Sequence, residues 1–394
     1  MKTDVAFVFG GRTCEHDVSI ISGIQALGAA NTETYNAFPV YIDGDGAWYI
    51  GDALRNIDFY TKFDAKQVKR VLPFGEGGKL LLMEYPEERA KLFSKGRAIL
   101  ATADVAFLVM HGMNGEDGTL QGLLEMYCVP YTSSGVLGSA VGMDKIVMKQ
   151  VYRSCGLPVL PDVWFTRAEW KANRDACLDT VEAAFPYPVF VKPANLGSSI
   201  GISRAKDRKS LEDAIDVAAS FDRRILVEKG VEKPKEVNCG VLGYGAECEA
   251  SPLEMPVSWD EFLSFPDKYG RGGKRSQGMQ SLARQIPAPI SEEKTRIIQN
   301  MAMDAFRALD SKGVARVDFI LDEKEDKIYI GEINTIPGSL AFYLFEYGGL
   351  KFESLIDRMI RYAYQARAER RESVFTYTSD ILKNKSYGAK KLHK

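Results

Sequence analysis

Residues 315–338 read Ala315-Arg-Val-Asp-Phe-Ile-Leu-Asp-Glu-Lys-Glu-Asp-Lys-Ile-Tyr-Ile-Gly-Glu-Ile-Asn-Thr-Ile-Pro-Gly338. Two apolar runs, Ala315–Leu321 and Lys327–Ile333, are joined by the acidic turn Asp322–Asp326. Short runs of β-branched and aromatic residues on either side of a polar turn predict two neighbouring strands. We therefore expect this region to form a strand pair that carries charged groups.

Four polar side chains of this strand pair are spaced two residues apart. Successive side chains of a strand point to opposite faces, so Arg316 and Asp318 share one face, as do Glu332 and Asn334. Oxygen ligands of this kind suit Mg²⁺ and leave room for phosphate oxygens. The alternative is a solvated sheet face with one Arg–Asp pair. The mostly apolar neighbourhood, in which unpaired carboxylates are costly, favours the metal site.

A glycine- and serine-rich turn, Asn195-Leu-Gly-Ser-Ser-Ile-Gly201, lies between the predicted strands Val189–Pro193 and Gly201–Ser203. Glycines let backbone N–H groups approach an anion and serine hydroxyls add donors, so the turn is a candidate phosphate site. It is not a Walker A loop, because no Gly-Lys-Ser/Thr follows and the next predicted element is a strand. The positive charges of Lys192 and Lys145 favour a phosphate site over a plain hairpin.

The first third of the chain alternates predicted strands and helices. Val5–Phe9 and Asp104–Met110 are continuous apolar runs that end at turn residues, and a helical period lies between Val18 and Leu27. This order predicts a parallel sheet with functional loops at the carboxyl ends of its strands. Residues 43–97 have no sustained period, so we expect an insertion of short strands and loops there.

Two histidines follow these predicted strands. His16 comes directly after Glu15, and His111 opens the segment His111–Gly118. We expect His16 to be structural. Glu15 either favours the positive end of a following helix or grips a substrate ammonium.

Two segments of the second half are basic. Ser264–Arg284 carries five Lys/Arg against one acid, which suits either a lid over polyphosphate or a disordered surface loop. Phe352–Ala363 has the apolar spacing of a core-facing helix. Past Ala366 the chain holds eight Lys/Arg and three acids, and we expect a solvated, frayed end there.

The composition is that of a packed protein with more than one domain. The 394 residues are 45% hydrophobic and 26% charged, and at roughly 150 residues per domain they predict two or three domains. Lys+Arg number 51 against Asp+Glu 53, so no net field favours nucleic acid or an acidic membrane. Six cysteines without a Cys-x-x-Cys pair, and an N-terminal apolar run too short for a membrane span, predict reduced thiols and a cytoplasmic location.

Taken in order, these motifs resemble the D-alanine–D-alanine ligases of the ATP-grasp superfamily. The resemblance runs from residue 4 to about 365 and rests on these blocks: Phe9–Ser19, His111–Gly122, Tyr131–Lys145, Val191–Gly201, Ala315–Phe319 and Glu332–Gly338. It implies an α/β and α+β protein, an ATP-grasp fold behind an N-terminal Rossmann-like (pre-ATP-grasp) domain. The implied domains are 1–144 with the insertion, the ATP-grasp lobes 145–227 and 228–365, and the basic tail 366–394.

The resemblance also implies site residues. The implied ATP-binding residues are Lys145, Lys192, Ser199, Glu228, Glu236 and Lys268. The implied ligands of two Mg²⁺ (or Mn²⁺) ions are Asp318, Glu332 and Asn334. The residues implied around the reacting groups are Glu15, Ser198, Tyr269, Arg316 and Gly338, with Glu15 facing the ammonium of the first D-alanine. The residues implied beside the second substrate are His111, Tyr343 and Leu344.

The implied reaction is the ATP-dependent joining of two D-alanine molecules for peptidoglycan synthesis. The first carboxylate would take the γ-phosphoryl group of ATP, and the second amine would attack the resulting acyl phosphate. No covalent enzyme intermediate is needed, which agrees with the lack of a Ser-His-Asp or Cys-His set in the sequence. The family also implies a cytoplasmic homodimer with no nucleic-acid or membrane partner.

One departure from the family leaves the second substrate open. After Pro337-Gly338 the family usually reads Thr-Ser-His-Ser, whereas this chain reads Ser339-Leu-Ala-Phe-Tyr343-Leu344. Tyr343 falls where the family's serine binds the second substrate's carboxylate, and it could still donate an O–H. The alternatives are therefore a ligase with D-serine, D-lactate or another D-amino acid as acceptor, and a non-catalytic ATP-binding regulatory protein.

Overall fold

The computed structural model describes residues 2–86, 98–256 and 284–376, and within these ranges the strands form three sheets. The first sheet has the order β6-β5-β4-β3-β2-β1-β7. Its strands are β1 (Thr3–Gly10), β2 (Tyr35–Ile42), β3 (Trp48–Ile50), β4 (Lys69–Glu76), β5 (Lys79–Glu84), β6 (Ile99–Ala103) and β7 (Val105–Leu108). The helices that accompany it are α1 (His16–Ala29), α2 (Thr119–Met126) and α3 (Val136–Met143).

The parallel sheet predicted for the first third is only partly correct. β1 pairs in parallel with β2 and β7, whereas every other neighbouring pair of this sheet is antiparallel. The antiparallel strands β3, β4 and β5 come from the predicted insertion, which also contains 3₁₀ turns at Asp52–Arg55, Ile57–Lys62 and Ala65–Gln67. The insertion therefore widens the first sheet through short hairpins, which need no helical crossover.

The second sheet is small and antiparallel, in the order β10-β9-β11-β8. Its strands are β8 (Asp162–Thr166), β9 (Val189–Pro193), β10 (Ser203–Ala205) and β11 (Arg224–Lys229). Helices of this region are α4 (Lys145–Ser154), α5 (Arg167–Ala172), α6 (Arg174–Ala184) and α7 (Arg208–Phe221). The predicted hairpin around the glycine–serine turn is confirmed, because β9 and β10 flank it and pair with each other.

The third sheet has the order β14-β13-β12-β15-β16 and is also antiparallel. Its strands are β12 (Lys235–Tyr244), β13 (Glu247–Pro256), β14 (Arg284–Gln285), β15 (Lys312–Asp322) and β16 (Lys327–Asn334). Helices of this region are α8 (Glu292–Ala308), α9 (Phe342–Tyr347) and α10 (Phe352–Glu372), and a 3₁₀ turn spans Gly338–Ala341. The predicted strand pair of residues 315–338 is confirmed as β15 and β16.

The apolar cores tie these layers together. One core joins the first sheet to α9 and α10, a second lies between α8 and the third sheet, and a third lies under α6 and α7 on the second sheet. The predicted closing helix is α10, which begins at Phe352 and buries Leu355, Ile356 and Met359. It continues to Glu372, so the first part of the expected frayed tail is helical and exposed.

The predicted domain limits remain predictions, although the elements bear on them. The limit at 144/145 falls at the start of α4, where the Asp144 carboxylate accepts hydrogen bonds from the N–H groups of Ile146 and Val147. The limit at 227/228 falls inside β11, and that at 365/366 falls inside α10. None of the helices in the described ranges is long and apolar enough to span a membrane.

Candidate functional site

The glycine–serine turn and the β15–β16 pair are joined directly by Lys145. The ammonium of Lys145 lies 2.8 Å from Oε2 of Glu332 in β16 and donates to the carbonyl oxygen of Leu196 at 2.9 Å. Lys145 is the first residue of α4 and only 6% of it is exposed. The sequence placed these groups about 190 residues apart at most, and the fold brings the predicted phosphate turn and the predicted metal residues to one cleft.

A row of polar residues crosses the third sheet and ends at Glu332, the partner of Lys145. Glu254, Asn238, Asp318 and Glu332 are successive Cα partners on β13, β12, β15 and β16. The Asn238 amide donates to Oε1 of Glu254 at 2.9 Å, which fixes that end of the row. Because residues opposite each other in antiparallel strands share a face, all four side chains lie on one side of the sheet.

Arg316 and Asn334 form the next level of this face. Arg316 donates to both carboxylate oxygens of Asp318, at 2.6 and 2.7 Å, and the Asn334 amide donates to Oδ2 at 3.1 Å. Burial by itself would lower the pKa of Arg316, but the paired Asp318 raises it well above its ordinary value. The Arg–Asp pair of the alternative interpretation is thus present, in a partly buried cleft rather than on an open face.

The oxygen donors of this face suit a hard divalent cation. In the described part of the chain, no cluster of three or more His, Cys, Asp or Glu side chains is placed as a metal cage. Asp318, Glu332 and Asn334 offer two carboxylates and one amide oxygen instead. Mg²⁺ is commonly held in this way, through one or two carboxylates together with substrate phosphates. The donor set therefore fits the ion that the sequence predicted.

A buried charge cluster includes Lys192, which precedes the glycine–serine turn by three residues. The carboxylate of Glu228 contacts the ammonium groups of Lys149 and Lys192, the latter at 2.5 Å. Burial alone would raise the pKa of Glu228, but the two lysines outweigh it and hold the pKa at about 2. Burial lowers the pKa of Lys149 to about 8, against the opposing effect of Glu228. Glu332 and Glu236 also act on Lys192, which places this cluster next to the third sheet.

Glu15 contacts the glycine–serine turn through Ser198. Its carboxylate accepts a hydrogen bond from the Ser198 hydroxyl, and only 8% of Glu15 is exposed. A methyl group on Gly112 or Gly197 would come within 2.8 or 3.0 Å of Glu15 Oε2, so these two glycines make room for the carboxylate. Burial, assisted by the negative charge of Glu116, raises the pKa of Glu15. Glu15 therefore contacts the turn rather than capping α1, which it precedes.

His111 links three separate segments. Its Nδ1 lies 2.7 Å from the carbonyl oxygen of Ile336, which can only accept, so Nδ1 donates this hydrogen bond. Nε2 then accepts from the Ser22 hydroxyl at 2.9 Å, and Ser22 Oγ accepts from the Ser339 N–H at 2.9 Å. His111 is thus a connector between α1, the loop after β7 and the turn that begins at Gly338.

His16 has two partners within its own sheet region. Its Nδ1 lies 2.6 Å from the carbonyl oxygen of Gly11 and its Nε2 lies 3.0 Å from the hydroxyl of Tyr41. Both ring nitrogens are therefore used to brace the loop after β1. This agrees with the structural role that the sequence predicted.

The segment that departs from the family forms an unusual turn. Ser339, Leu340 and Ala341 all have φ values near +50°, a left-handed conformation that is costly for residues other than glycine. Tyr343 follows at the start of α9, and its hydroxyl donates to Oε1 of Glu254 at 3.0 Å. Leu344 is fully buried in the core beneath. Two of the predicted residues, Lys268 and Tyr269, lie outside the described residues, as does nearly all of Ser264–Arg284.

Five residues that the sequence did not single out lie next to the predicted site residues. These are Ser22, Glu116, Lys149, Glu254 and Arg284. Glu116 accepts from the N–H groups of Gly112 and Ile336, and so ties the loop after β7 to the end of β16. Lys149 follows Lys145 by one helical turn, a spacing that places both on one face of α4. That spacing was the available signal for Lys149.

Two family models match most of the chain. The model described as D-ala D-ala ligase N-terminus matches residues 4–134, and the model described as D-ala D-ala ligase C-terminus matches residues 151–361. The chain belongs to the D-alanine–D-alanine ligase family. The resemblance stated from the motifs is confirmed, and so is the ATP-grasp fold class.

Individual members of the family are similar over nearly the full chain. The D-alanine–D-alanine ligase of Bacillus cytotoxicus is 38% identical over 381 residues, covering 95% of this chain and 99% of that one. The ligase of Heliobacterium modesticaldum is 39% identical, covering 91% and 94%.

Solved structures of the family have the same fold. The D-alanine–D-alanine ligase from Coxiella burnetii matches with a TM-score of 0.76 at 28% identity, covering 94% of this chain and 96% of that one. The VanG D-Ala:D-Ser ligase from Enterococcus faecalis matches with a TM-score of 0.74 at 28% identity, covering 92% and 100%.

Proposed function

We propose that this protein is an ATP-dependent ligase that joins two D-alanine molecules into a dipeptide for peptidoglycan synthesis. Its relatives named D-alanine–D-alanine ligase match nearly the full chain at 34–39% identity. The observation that carries the proposal is the double contact of Lys145, with Glu332 on one side and the Leu196 carbonyl of the phosphate turn on the other. The contact unites the candidate phosphate and metal sites in one cleft.

The residues of this cleft have distinct tasks in the proposed reaction. Glu15 binds the ammonium of the first D-alanine. The carboxylate of that D-alanine then attacks the γ-phosphorus of ATP, and ADP departs. Lys145 and Lys192 neutralise the phosphate oxygens as charge shifts between them. The neutral amine of the second D-alanine then attacks the acyl phosphate, and Arg316 stabilises the oxyanion of the tetrahedral intermediate. The bond from carbon to the phosphate oxygen breaks, and hydrogen phosphate leaves with the proton that the amine loses.

The divalent ions belong to the proposal as well. Asp318, Glu332 and Asn334 are the residues that would hold Mg²⁺ or Mn²⁺, with two ions as the proposed number. The ion supplies positive charge beside the phosphate groups of ATP. Before ligands enter, Lys145 and Arg316 neutralise Glu332 and Asp318, so the carboxylates are stable in the cleft.

The test is an assay of purified protein with ATP, Mg²⁺ and D-alanine. We expect phosphate and D-alanyl-D-alanine to appear in equal amounts, measured by a phosphate assay and mass spectrometry. Release of ADP without dipeptide, in a reaction that depends on D-alanine, would contradict the acceptor. No turnover of ATP with any D-amino acid would favour the non-catalytic alternative.

A ligase with another acceptor is the second candidate, and a specific observation favours testing it. Tyr343 and Leu344 stand where the family usually has the residues of the second-substrate site, and one structural relative is titled a D-Ala:D-Ser ligase. A panel of D-serine, D-lactate and larger D-amino acids, each in competition with D-alanine, measures the preference as a ratio of kcat/KM values. We also propose a cytoplasmic homodimer, which gel filtration with light scattering tests.

A further inference from the structure

Arg284 stacks on Tyr343, the residue that stands where the family usually has a serine, and forms an ion pair with Glu254. The guanidinium of Arg284 lies 4.1 Å from the centroid of the Tyr343 ring and donates from Nη1 to Oε2 of Glu254 at 3.1 Å. Glu254 is 2% exposed, and its other oxygen accepts from Tyr343 and Asn238. One buried carboxylate thus fixes the aromatic ring and the guanidinium together.

This arrangement changes which group can bind an acceptor carboxylate. The hydroxyl hydrogen of Tyr343 is directed to Glu254, so Tyr343 does not offer that hydrogen as the family's serine would. The cation stacked on the same ring is Arg284, and the positive charge of Arg284 reaches Tyr343 strongly enough to oppose the rise in its pKa. Guanidinium groups bind carboxylates with charge-assisted hydrogen bonds that a hydroxyl does not match.

We infer that Arg284 is an acceptor-binding residue that holds the carboxylate of the second D-amino acid, with Glu254 and Tyr343 as its support. The inference rests on the proposed ligase function. Arg316, the other guanidinium that acts on Tyr343, pairs with both oxygens of Asp318, and the proposed function assigns it to the reacting carbonyl. The two arginines divide the tasks, one at the oxyanion and one at the far end of the acceptor.

A competition between D-alanine and D-alaninamide as acceptors tests this division. The two acceptors differ in whether the far end carries a negative charge, and their products differ in mass. With both present in equal amounts, the ratio of dipeptide to dipeptide amide reports relative kcat/KM and is independent of the amount of folded enzyme. We expect Arg284→Met to lower this ratio roughly 10- to 100-fold, the contribution of a hydrogen bond to a charged group.

A matched arginine elsewhere serves as the control. Arg174 lies with its guanidinium 4.7 Å from the Trp170 ring and pairs with Asp216 on the surface of the second sheet's helices. Arg174→Met should leave the product ratio at the wild-type value. Arg284→Lys keeps a charge without the planar fork, so we expect an intermediate ratio. Arg284→Gln, which removes the charge and can still donate to Glu254, serves if Arg284→Met does not fold.

The outcomes separate this inference from the proposed function. A wild-type ratio in Arg284→Met, or in Arg284→Gln if Arg284→Met does not fold, would mean that Arg284 is structural even with a lower total rate, and would overturn the inference alone. Wild-type protein that forms neither product with ATP and Mg²⁺ would overturn the proposed function, and the inference with it.

Discussion

Glu15 is a carboxylate whose charge depends on what lies next to it. Burial and the nearby Glu116 favour its neutral form, whereas the Ser198 hydroxyl and His111 favour its charged form. The first two effects win, so the pKa of Glu15 lies above 4.5. A substrate ammonium would favour the charged form, because opposite charges at close range stabilise each other.

Replacing Glu15 by glutamine tests this pairing. We expect Glu15→Gln to raise the KM of the first D-alanine roughly 10- to 100-fold, since the variant loses a hydrogen bond between charged partners. In wild-type protein, kcat/KM should rise with pH as Glu15 ionises, with a midpoint above 4.5, and this acid limb should be absent from the variant. Initial rates between pH 4.5 and 8 measure both effects. An unchanged acid limb in the variant would assign it to another group.

Glu332 is the residue on which the candidate metal site depends most. We expect Glu332→Gln to lower kcat about 100- to 1,000-fold, as the loss of one preorganised electrostatic contact commonly does. Its unfolding free energy should also fall, because the buried ammonium of Lys145 loses its counter-ion, so kcat is expressed per folded enzyme. Glu323→Gln, at an exposed pair with Lys235, is the matched control and should keep wild-type kcat. Wild-type turnover by Glu332→Gln would remove this residue from the metal site.

Sequence patterns predicted the site residues whose structural neighbours are also close along the chain. Asp318 and Glu332 could be found because two strands of alternating pattern join at a short turn. Glu254 and Arg284 could not be found, because their partner Tyr343 is 89 residues from the first and contacts it only across the folded sheet. The sequence shows that Tyr343 has a hydroxyl. It does not show that this hydroxyl donates to Glu254, because that contact exists only in the folded protein.

At the scale of elements, α4 is the helix that connects the charge clusters. Lys145 at its start contacts Glu332 of β16, and Lys149 one turn later contacts Glu228 of β11 and lies 3.4 Å from Asp162 of β8. Lys149 is fully buried, so its two carboxylate neighbours are the reason that a charge is stable there. The position of α4 is thus specified from two sheets.

Removing the Lys149 ammonium should destabilise this arrangement. We expect Lys149→Met to lower the unfolding free energy by about 3–5 kcal/mol, since Glu228 and Asp162 would remain buried with one fewer cation. Urea titration followed by circular dichroism measures the change. Lys209→Met, which breaks an exposed pair with Asp213, should cost under about 1 kcal/mol. Equal effects of the two substitutions would contradict the buried pairing.

The insertion shows the limit of sequence reasoning for elements. Its short strands were expected, but their addition to the first sheet was not, because hairpin pairing depends on partners that no local period specifies. β4 and β5 pair with each other through a two-residue turn, while β3 connects them to β2. The lack of a helical period in the described part of the insertion therefore corresponds to a sheet extension, because antiparallel strands need no crossover helix.

For the whole molecule, the buried carboxylate of Glu228 predicts how stability depends on acid. Its pKa is about 2 in the folded protein and near 4.5 when unpaired. A carboxyl with a depressed folded pKa stabilises the fold above the unfolded value, and this contribution is lost as pH falls from 4.5 towards 2. At 1.36 kcal/mol per pKa unit, protonation of this one carboxyl lowers the free energy of unfolding by roughly 3 kcal/mol.

Unfolding curves between pH 7 and pH 2 measure this dependence. Glu228→Gln should be less stable than wild type at pH 7 and should lose less stability between pH 4.5 and 2, because the variant has no carboxyl to protonate there. Glu325→Gln is the control, since Glu325 is exposed and its pairs with Lys229 and Lys327 are screened by water. A Glu228→Gln curve parallel to wild type would contradict the proposed source of the acid dependence.

The contact between Lys145 and Glu332 has a consequence for how the cleft can vary. Without ligands, each group is the other's counter-ion. An arriving nucleotide must separate them before Lys145 can bind phosphate or Glu332 can bind a metal ion. Replacing one of them by an uncharged residue would leave the other charge without a counter-ion at a largely buried position. Substitutions at these two positions are therefore coupled. A change at one position alone should lower the stability of the ligand-free protein as well as its binding of ligands.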